Sequence, residues 1–300
     1  MLQVKEFLKY VDISDLHEKI CNFRELNFKK LNYRDVQNEV SKVISFDTPK
    51  VISFDTPKGN QAFLIPTNAT YPSGTRFYRV RNIIEGDTTL PLKSMSTISD
   101  CWEPPKKYVK SGRLNRQHEP LIYTSPMSPS VAVEELKISD DQLFSLIIYE
   151  AVDLIKVTCI GFPPNIKELT KEEALKLRMI QDFLRHEFIR DVGTGTEYLY
   201  RISESITKDY FDLPPEVQDA WCYPSVAKKG GYNVCFRPEK KQKLKLVGVQ
   251  IASIKRDDNG YMFHVKSIAK DSGDGVNLSY HQIGSQEQEL LFPEISVEKI

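Results

Sequence analysis

Two adjacent carboxylates and several arginines are the residues whose types could do chemistry in this chain. Glu134 and Glu135 are neighbours, so on a helix they would point about 100° apart and only one could face a cleft. A fixed carboxylate stabilises positive charge that develops while a bond breaks. Arg79, Arg81 and Arg113 carry planar guanidinium groups, which bind phosphate oxygens through paired hydrogen bonds. Taken alone, the two glutamates are better interpreted as ordinary residues of a helix surface, and Arg79 and Arg81 as part of a charged exposed face.

Aromatic and hydroxyl side chains supply further candidates. Tyr123 could stack on a planar group and exclude water, and a core-packing tyrosine is an equally good interpretation. Ser225 follows Pro224, whose ring presets the local backbone, and its hydroxyl could bind a ribose or phosphate oxygen. No His/Asp pair accompanies Ser225, which argues against a serine-hydrolase nucleophile. Tyr78 and Asn233 are secondary binding candidates.

Familiar metal and nucleotide motifs are incomplete. The segment His186–Arg190 begins like a zinc-protease motif but lacks the second histidine. Gly-Thr-Gly at 193–195 is neither a dinucleotide-binding loop nor part of a P-loop. The five cysteines are scattered and never form a Cys-x-x-Cys pair. We therefore expect no metal site, no disulfide framework and no bound prosthetic group.

The net charge and the apolar runs of the sequence argue against nucleic acid and membranes as partners. Lys plus Arg and Asp plus Glu both number 41, so no global positive field attracts nucleic acid or acidic membranes. No apolar run approaches the roughly 20 residues of a membrane span. The N-terminus has no signal-peptide pattern. We expect a cytoplasmic protein with neither nucleic acid nor membrane as partner.

The elements that must position these residues follow an α+β pattern. Apolar residues at three- and four-residue spacing, Leu16, Ile20 and Phe23, predict helix in the first forty residues. Alternation predicts a strand at 75–81 that carries the arginines. Further strands are predicted at 121–125, 143–151, 234–236, 245–251 and 261–265, with a turn at 257–260. Further helices are predicted at 129–137, from the Thr170/Glu173 capping box to about 190, and at 198–209.

An octapeptide occurs twice in tandem, at 43–50 and 51–58. Each copy carries a proline, Pro49 or Pro57, which disfavours helix, so we predict an extended linker or edge strand. The resulting organisation is a helical N-terminal extension at 1–65 and an α+β domain at 66–300, with its core at about 75–250. The apolar stripe of the extension must be covered, by this chain or by another.

Three ordered segments resemble the RES domain family, named for its Arg, Glu and Ser. The first is Phe-Tyr-Arg-Val-Arg at 77–81. The second runs from Gly-Arg-Leu-Asn at 112–115 through the strand with Tyr123 to Ser-Pro-Ser-Val-Ala-Val-Glu-Glu-Leu at 128–136. The third is Tyr-Pro-Ser at 223–225, followed by a glycine-rich turn. The resemblance covers roughly residues 75 to 250, and His118 stands where family loops often have glycine.

The resemblance implies a site made of Arg79, Tyr123, Glu135 and Ser225. Counting residues strictly from Tyr123 would allow Glu134 in place of Glu135, so the choice between these two neighbours stays open. Arg79 and Arg113 would hold phosphate groups, with help from Arg81, and Tyr123 would pack on nicotinamide. Ser225 would orient the ribose or the diphosphate.

The family also implies a fold and an activity. The fold would resemble ADP-ribosyltransferases, with mixed sheets and flanking helices. The activity would be that of an NAD⁺-degrading toxin that cleaves the nicotinamide–ribose bond, with inorganic phosphate or water as acceptor. We favour phosphate. Transfer of ADP-ribose to a protein and an inactive NAD-binding module are the alternatives. A separate antitoxin chain is an expected partner, and a homo-oligomer is compatible with the sequence.

Overall fold

The computed structural model describes residues 2–46, 54–56, 59–61, 67–162, 168–258 and 260–296. The protein has an α+β fold, with a mostly antiparallel sheet and flanking helices, as the coarse sequence pattern predicts. The finer, ADP-ribosyltransferase-like arrangement stays a prediction. The chain forms two compact units. The first unit contains residues 1–69, 110–119 and 158–224, and the second contains 70–109, 120–157 and 225–300.

The regular elements follow in chain order. The helices of the described residues are α1 (Leu2–Lys9), α2 (Ile13–Arg24), α3 (Tyr33–Ile44), α4 (Pro129–Glu135), α5 (Lys171–Phe188), α6 (Tyr200–Ile206) and α7 (Gln286–Leu291). The strands are β1 (Phe54–Thr56), β2 (Gly59–Gln61), β3 (Thr67–Tyr71), β4 (Arg76–Asn82), β5 (Ile122–Pro126), β6 (Phe144–Ala151), β7 (Ile155–Cys159), β8 (Ala220–Pro224), β9 (Tyr232–Phe236), β10 (Leu244–Asp257), β11 (Gly260–Asp271) and β12 (Leu278–Gln282).

Helices of the first unit cover the apolar stripe of the N-terminal region. Leu16, Ile20 and Phe23 are buried, as their spacing predicts. The ring of Phe23 in α2 packs edge-on against Phe183 in α5, with 5.1 Å between centroids. The cover is therefore part of the same chain.

The predicted capping box starts α5. Thr170 Oγ1 accepts a hydrogen bond from the Glu173 amide at 3.2 Å, and the Glu173 carboxylate accepts one from the Thr170 amide at 2.8 Å. The two bonds satisfy amides that the first helical turn leaves without partners. The helix then runs to Phe188, close to the predicted end.

The described parts of the tandem octapeptide, 43–46 and 54–56, adopt two conformations. Val43 and Ile44, from the first copy, end α3, so the extended prediction is wrong there. Both side chains are buried and continue the apolar stripe of that helix, which outweighs their preference for strand. Phe54–Thr56, from the second copy, forms β1 and pairs antiparallel with β2. Pro49 and Pro57 lie outside the described residues.

Seven strands of the second unit form consecutive antiparallel pairs in the order β12, β11, β10, β6, β4, β5 and β9. One face carries a core in which Val80, Leu146 and Ile148 pack with Ala132 and Val133 of α4. Helix α4 therefore lies on the face of β4 that presents the even-numbered side chains. The predicted turn after 257 joins β10 to β11, where Asp257 pairs with Gly260.

The sequence pattern missed several elements, namely β3, β7, β8, β12 and α7. Every residue of β8 is buried, so its sequence lacks the alternation that marks a half-exposed strand. Strand β7 has a single exposed position and is similarly hidden. The predicted helix at 198–209 is also more irregular, because a π-helical turn at Thr207–Phe211 follows α6.

Candidate functional site

Helix α4 separates the two neighbouring carboxylates. It begins at Pro129, a residue suited to a first helical turn, and it ends at Glu135. Glu134 Oε1 accepts hydrogen bonds from Nε and Nη2 of Arg256 at 3.0 and 2.9 Å. Glu135 points to different partners, so the helix gives the two residues different environments.

Glu135 lies at the centre of a hydrogen-bonded group, here called the Glu135 cluster, that also contains Ser225 and Asn233. Glu135 Oε1 accepts from Ser225 Oγ at 2.6 Å and from Asn233 Nδ2 at 2.7 Å. The Val226 amide donates to the same oxygen at 3.3 Å. All three bonds go to Oε1, and Oε2 has no hydrogen-bond partner among the described residues. The half-buried carboxylate is thus fixed in place with one oxygen available.

Neighbouring groups fix the orientation of the cluster. Ser125 Oγ donates to Asn233 Oδ1 at 3.0 Å, which directs the Asn233 amide nitrogen toward Glu135. Ser225 Oγ accepts from the Lys228 amide at 3.0 Å, which leaves the hydroxyl proton for Glu135. Ser225 and Asn233 are both more than nine-tenths buried. Their geometry is therefore set by the protein rather than by solvent.

A glycine-rich turn brings Ser225 close to α4. The Ser225 amide donates to the Gly231 carbonyl at 2.8 Å. A Cβ atom on Gly231 would lie 2.8 Å from Val131 Cγ2, so the close approach requires glycine. Gly230, with φ of +78°, turns the chain just before it. The Gly-Gly pair of the motif thus has a packing role beside the cluster.

Both predicted tyrosines, Tyr78 and Tyr123, lie on the same sheet face as the cluster. Tyr123 is two residues before Ser125 on β5, so the two side chains share a face. Tyr78 pairs with Ser125 in the β4–β5 ladder and also shares that face. Tyr123 is half-buried rather than a fully buried core residue. Burial raises the pKa of Tyr78.

Arg79 and Arg81 lie on the opposite face of β4, since they alternate with Tyr78 and Val80. Arg79 Nη1 donates to the carbonyl oxygens of Cys101, at 3.5 Å, and Trp102. Arg81 Nη1 donates to the Asp100 carbonyl at 2.9 Å. The two guanidinium groups line a cavity of about 590 Å³ there. The structure does not bring them together with the Glu135 cluster.

Arg113 belongs to the first unit. Its Nη1 donates to the carbonyl oxygens of Phe188 at 2.6 Å and Arg190 at 2.9 Å. These carbonyls are at the C-terminal end of α5, where the helix leaves acceptors without intrahelical donors. The guanidinium carbon is also 5.8 Å from the Tyr200 ring centroid. These contacts give Arg113 a helix-capping role.

Lys228 and Ser125 were not among the predicted site residues. Lys228 Nζ donates to Ser130 Oγ at 2.6 Å and is 4.2 Å from the ring centroid of Tyr261. Its main-chain amide also donates to Ser225 Oγ, whereas its ammonium group lies at Ser130, in the first turn of α4. The sequence signals were available, because Ser125 shares a strand face with Tyr123 and Lys228 precedes the Gly-Gly turn.

The chain matches no protein-family model, and no curated protein matches it either. The resemblance to the RES family therefore stays a prediction. Within the described ranges, no three His, Cys, Asp or Glu side chains are grouped so that they could hold a metal ion. No helix in the described part of the chain combines the length and apolar character needed to cross a bilayer.

Proposed function

We propose that this protein cleaves the bond between nicotinamide and ribose in NAD⁺. The observation that carries the proposal is the Glu135 cluster, in which a half-buried carboxylate is held through Oε1. As the glycosidic bond breaks, its electron pair leaves with nicotinamide and positive charge develops on the ribose. A preorganised carboxylate oxygen stabilises that transition state more than the ground state.

Ser225 and Asn233 act as positioning residues in this proposal. Their donors bind Oε1, so Oε2 is the atom that faces the ribosyl cation. Hydrogen bonds to a carboxylate are stronger than those between neutral groups, which keeps the orientation fixed during the reaction. Tyr123, on the same sheet face, packs against nicotinamide and keeps water from the leaving group.

Inorganic phosphate is the acceptor that we favour. A phosphate oxygen forms a bond to the anomeric carbon of ribose as nicotinamide leaves, and the product is phosphorylated ADP-ribose. Lys228 supports this choice, because its main chain contacts the cluster and its ammonium group lies at Ser130 on the same helix as Glu135. The described contacts of Arg79, Arg81 and Arg113 go largely to main-chain carbonyls, so Lys228 takes the phosphate-binding role here.

The biological role in this proposal comes from the resemblance to the RES family. The protein acts as a toxin in the cytoplasm by depleting NAD⁺, and a separate antitoxin chain neutralises it. A homo-oligomer is compatible with this role. The sequence motifs at 77–81, 111–136 and 223–231 are the support for this part.

The test is incubation of the full chain with NAD⁺, with and without inorganic phosphate, followed by mass spectrometry. We expect nicotinamide in both reactions, with phosphorylated ADP-ribose in the first and ADP-ribose as the slower product in the second. Glu135→Gln keeps the side-chain size but removes the charge, and should slow cleavage by about 10²- to 10³-fold. Intact NAD⁺ with the wild-type protein would contradict the proposal.

The adjacent residue provides a matched control. Glu134→Gln removes a charge from the same helix, but that carboxylate is paired with Arg256 and should not affect turnover. Equal losses in both variants would show that the Glu135 effect is not specific. Labelled NAD⁺ that becomes attached to protein would support ADP-ribosyl transfer instead. Calorimetric binding of NAD⁺ without turnover would support an inactive binding module.

A further inference from the structure

A second cavity lies on the same sheet face as α4, at the other end of that helix. It has a volume of about 600 Å³ and is lined by Pro129, Tyr78 and Leu146, among others. Pro129 is the first residue of α4 and Glu135 the last, about 9 Å apart along the axis at 1.5 Å per residue. The cavity has the size of a small-molecule site and does not include the Glu135 cluster.

A buried amide lines this cavity. Gln250 in β10 has only 7% of its surface exposed. It pairs with Leu146 across the β6–β10 ladder, so its side chain lies on the same face as Leu146, which also lines the cavity. Within the described part of the chain, the Gln250 side chain makes no hydrogen bond. The buried side-chain polar atoms that lack a partner in the described residues are Glu103 Oε2 and Glu187 Oε2, so the Gln250 amide is instead open to the cavity and available to a ligand.

The remaining walls are aromatic and aliphatic. The rings of Tyr78 and Phe263 and the side chains of Leu146, Val265 and Ile283 surround the amide. Such walls suit a flat ring, and a carboxamide presents a donor and an acceptor side by side. The N6/N7 edge of adenine offers the matching acceptor and donor, and glutamine pairs with that edge in nucleic-acid recognition. We propose that this cavity binds the adenine base of a nucleoside.

The charges at the cavity favour a nucleoside over a polyphosphate. Glu294 lines the cavity and forms an ion pair with Arg76, with Nη1 and Oε1 3.2 Å apart. The opposite charges offset each other, so the rim has no strong attraction for phosphate groups. The size also fits a nucleoside better than a single ring. Adenosine is therefore the appropriate probe.

Adenine could arrive from two sources, the adenine end of NAD⁺ or a separate adenine nucleoside. The cavity is argued from its own residues and does not depend on the proposed NAD⁺ cleavage. Adenosine binding to the full chain, measured by calorimetry, tests the cavity directly. NAD⁺ turnover in the same variants then identifies the source.

The decisive variant is Gln250→Leu, which removes the amide and keeps a similar volume. We expect adenosine to bind the wild type and to bind Gln250→Leu about tenfold or more weakly. Without ligand, the variant should melt at a similar temperature, because the substitution removes no hydrogen bond within the protein. Gln250→Met gives a second test at similar length. Gln117→Leu, at an exposed position, should leave binding unchanged.

Each result of the binding and kinetic experiments either supports or overturns the proposal. Absence of saturable adenosine binding, or equal binding by wild type and Gln250→Leu, overturns the proposal. Binding of nicotinamide but not adenosine overturns the choice of a purine. A raised KM for NAD⁺ in Gln250→Leu supports the adenine end of NAD⁺ as ligand, and an unchanged KM with lost adenosine binding supports a separate nucleoside. If the wild type does not cleave NAD⁺, calorimetry with adenosine still decides whether the cavity binds adenine.

Discussion

The two faces of the sheet in the second unit use their charged residues differently. On one face, Glu135 receives a hydroxyl, an amide side chain and a main-chain amide on a single oxygen. On the opposite face, Arg79 and Arg81 direct their guanidinium groups at main-chain carbonyls of the 100–102 segment. The first arrangement fixes a carboxylate through one of its two oxygens, whereas the second ties a loop to a strand.

The difference shows that matching a motif does not place its residues on one surface. Arg79 and Tyr78 are consecutive in the same motif, yet strand alternation puts them on opposite faces. Tyr78 shares its face with Ser125 and hence with the Glu135 cluster. If the comparison is right, loss of Arg79 affects stability and loss of the cluster affects turnover.

The largest expected effect on stability is that of Arg79→Met. This variant keeps an apolar stem in the strand but removes a charged donor from the carbonyls of Cys101 and Trp102. Charge-assisted hydrogen bonds contribute about 1.5–3 kcal/mol, so we expect the free energy of unfolding to fall by about 2 kcal/mol. Urea denaturation measures this change, and the NAD⁺ assay should show nearly full turnover per folded molecule.

An exposed arginine provides the control for that variant. Arg178→Met, on α5, should change the free energy of unfolding by no more than about 0.5 kcal/mol. The comparison between the faces would fail if Arg79→Met left stability intact and abolished turnover. That result would assign Arg79 to the substrate, as the family resemblance implies.

Ser225→Ala should have a smaller effect, this time on turnover. The variant removes one of three donors to Glu135 Oε1 and leaves the Lys228 amide without its acceptor. We expect kcat to fall about tenfold, equivalent to about 1.4 kcal/mol, with little change in KM because Ser225 acts through Glu135. Steady-state kinetics on NAD⁺ would measure both constants.

Ser125→Ala is the graded comparison for Ser225→Ala. Its hydroxyl contacts Asn233 and not Glu135, so its loss should lower kcat less than the loss of Ser225. An effect of Ser225→Ala on KM alone would indicate direct contact with the substrate. Full turnover in Ser225→Ala would remove the cluster as the explanation for catalysis.

Local patterns predicted the elements of the site well. The strand with Arg79, the strand with Tyr123 and the helix that ends at Glu135 all lie within a few residues of the predicted positions. Alternation and helical spacing are local properties, so a single sequence contains them. The motif also named Glu135 and Ser225, and Asn233 is a secondary candidate; the fold brings all three within hydrogen-bonding distance.

Other features depend on contacts that a single sequence does not encode locally. The choice between Glu134 and Glu135 depends on Arg256, which is 122 residues from Glu134. Arg113 is occupied by carbonyls at the end of a helix 75 residues away. Gln250 lies among apolar residues of a strand, so the sequence does not reveal that its side chain lines a cavity. Each of these follows from pairing and packing across the fold rather than from spacing.

The smallest expected effect, measured over a single pH unit, tests whether water reaches the face of β4 that carries Arg79. Burial, together with the neighbouring Asp100 carboxylate, raises the pKa of the Cys101 thiol from 9.0 to about 12. An unfolded chain loses this proton first, so stability should fall as the pH rises above 9.0 and continue to fall until about 12. The loss between about pH 9 and pH 10 should be about 1 kcal/mol from this thiol.

The measurement is urea denaturation of wild type and Cys101→Ala at pH values across that interval. The variant has a lower starting stability because its smaller side chain leaves space, but its decline with pH should be shallower. Tyr149, which donates to the Cys101 carbonyl, has its pKa raised by burial from 10.0 to about 12, so it contributes mainly at higher pH. Equal slopes in both proteins would mean that Cys101 is hydrated, and the Arg79 face would then be open enough to bind a ligand, as the opposite face does in our proposal.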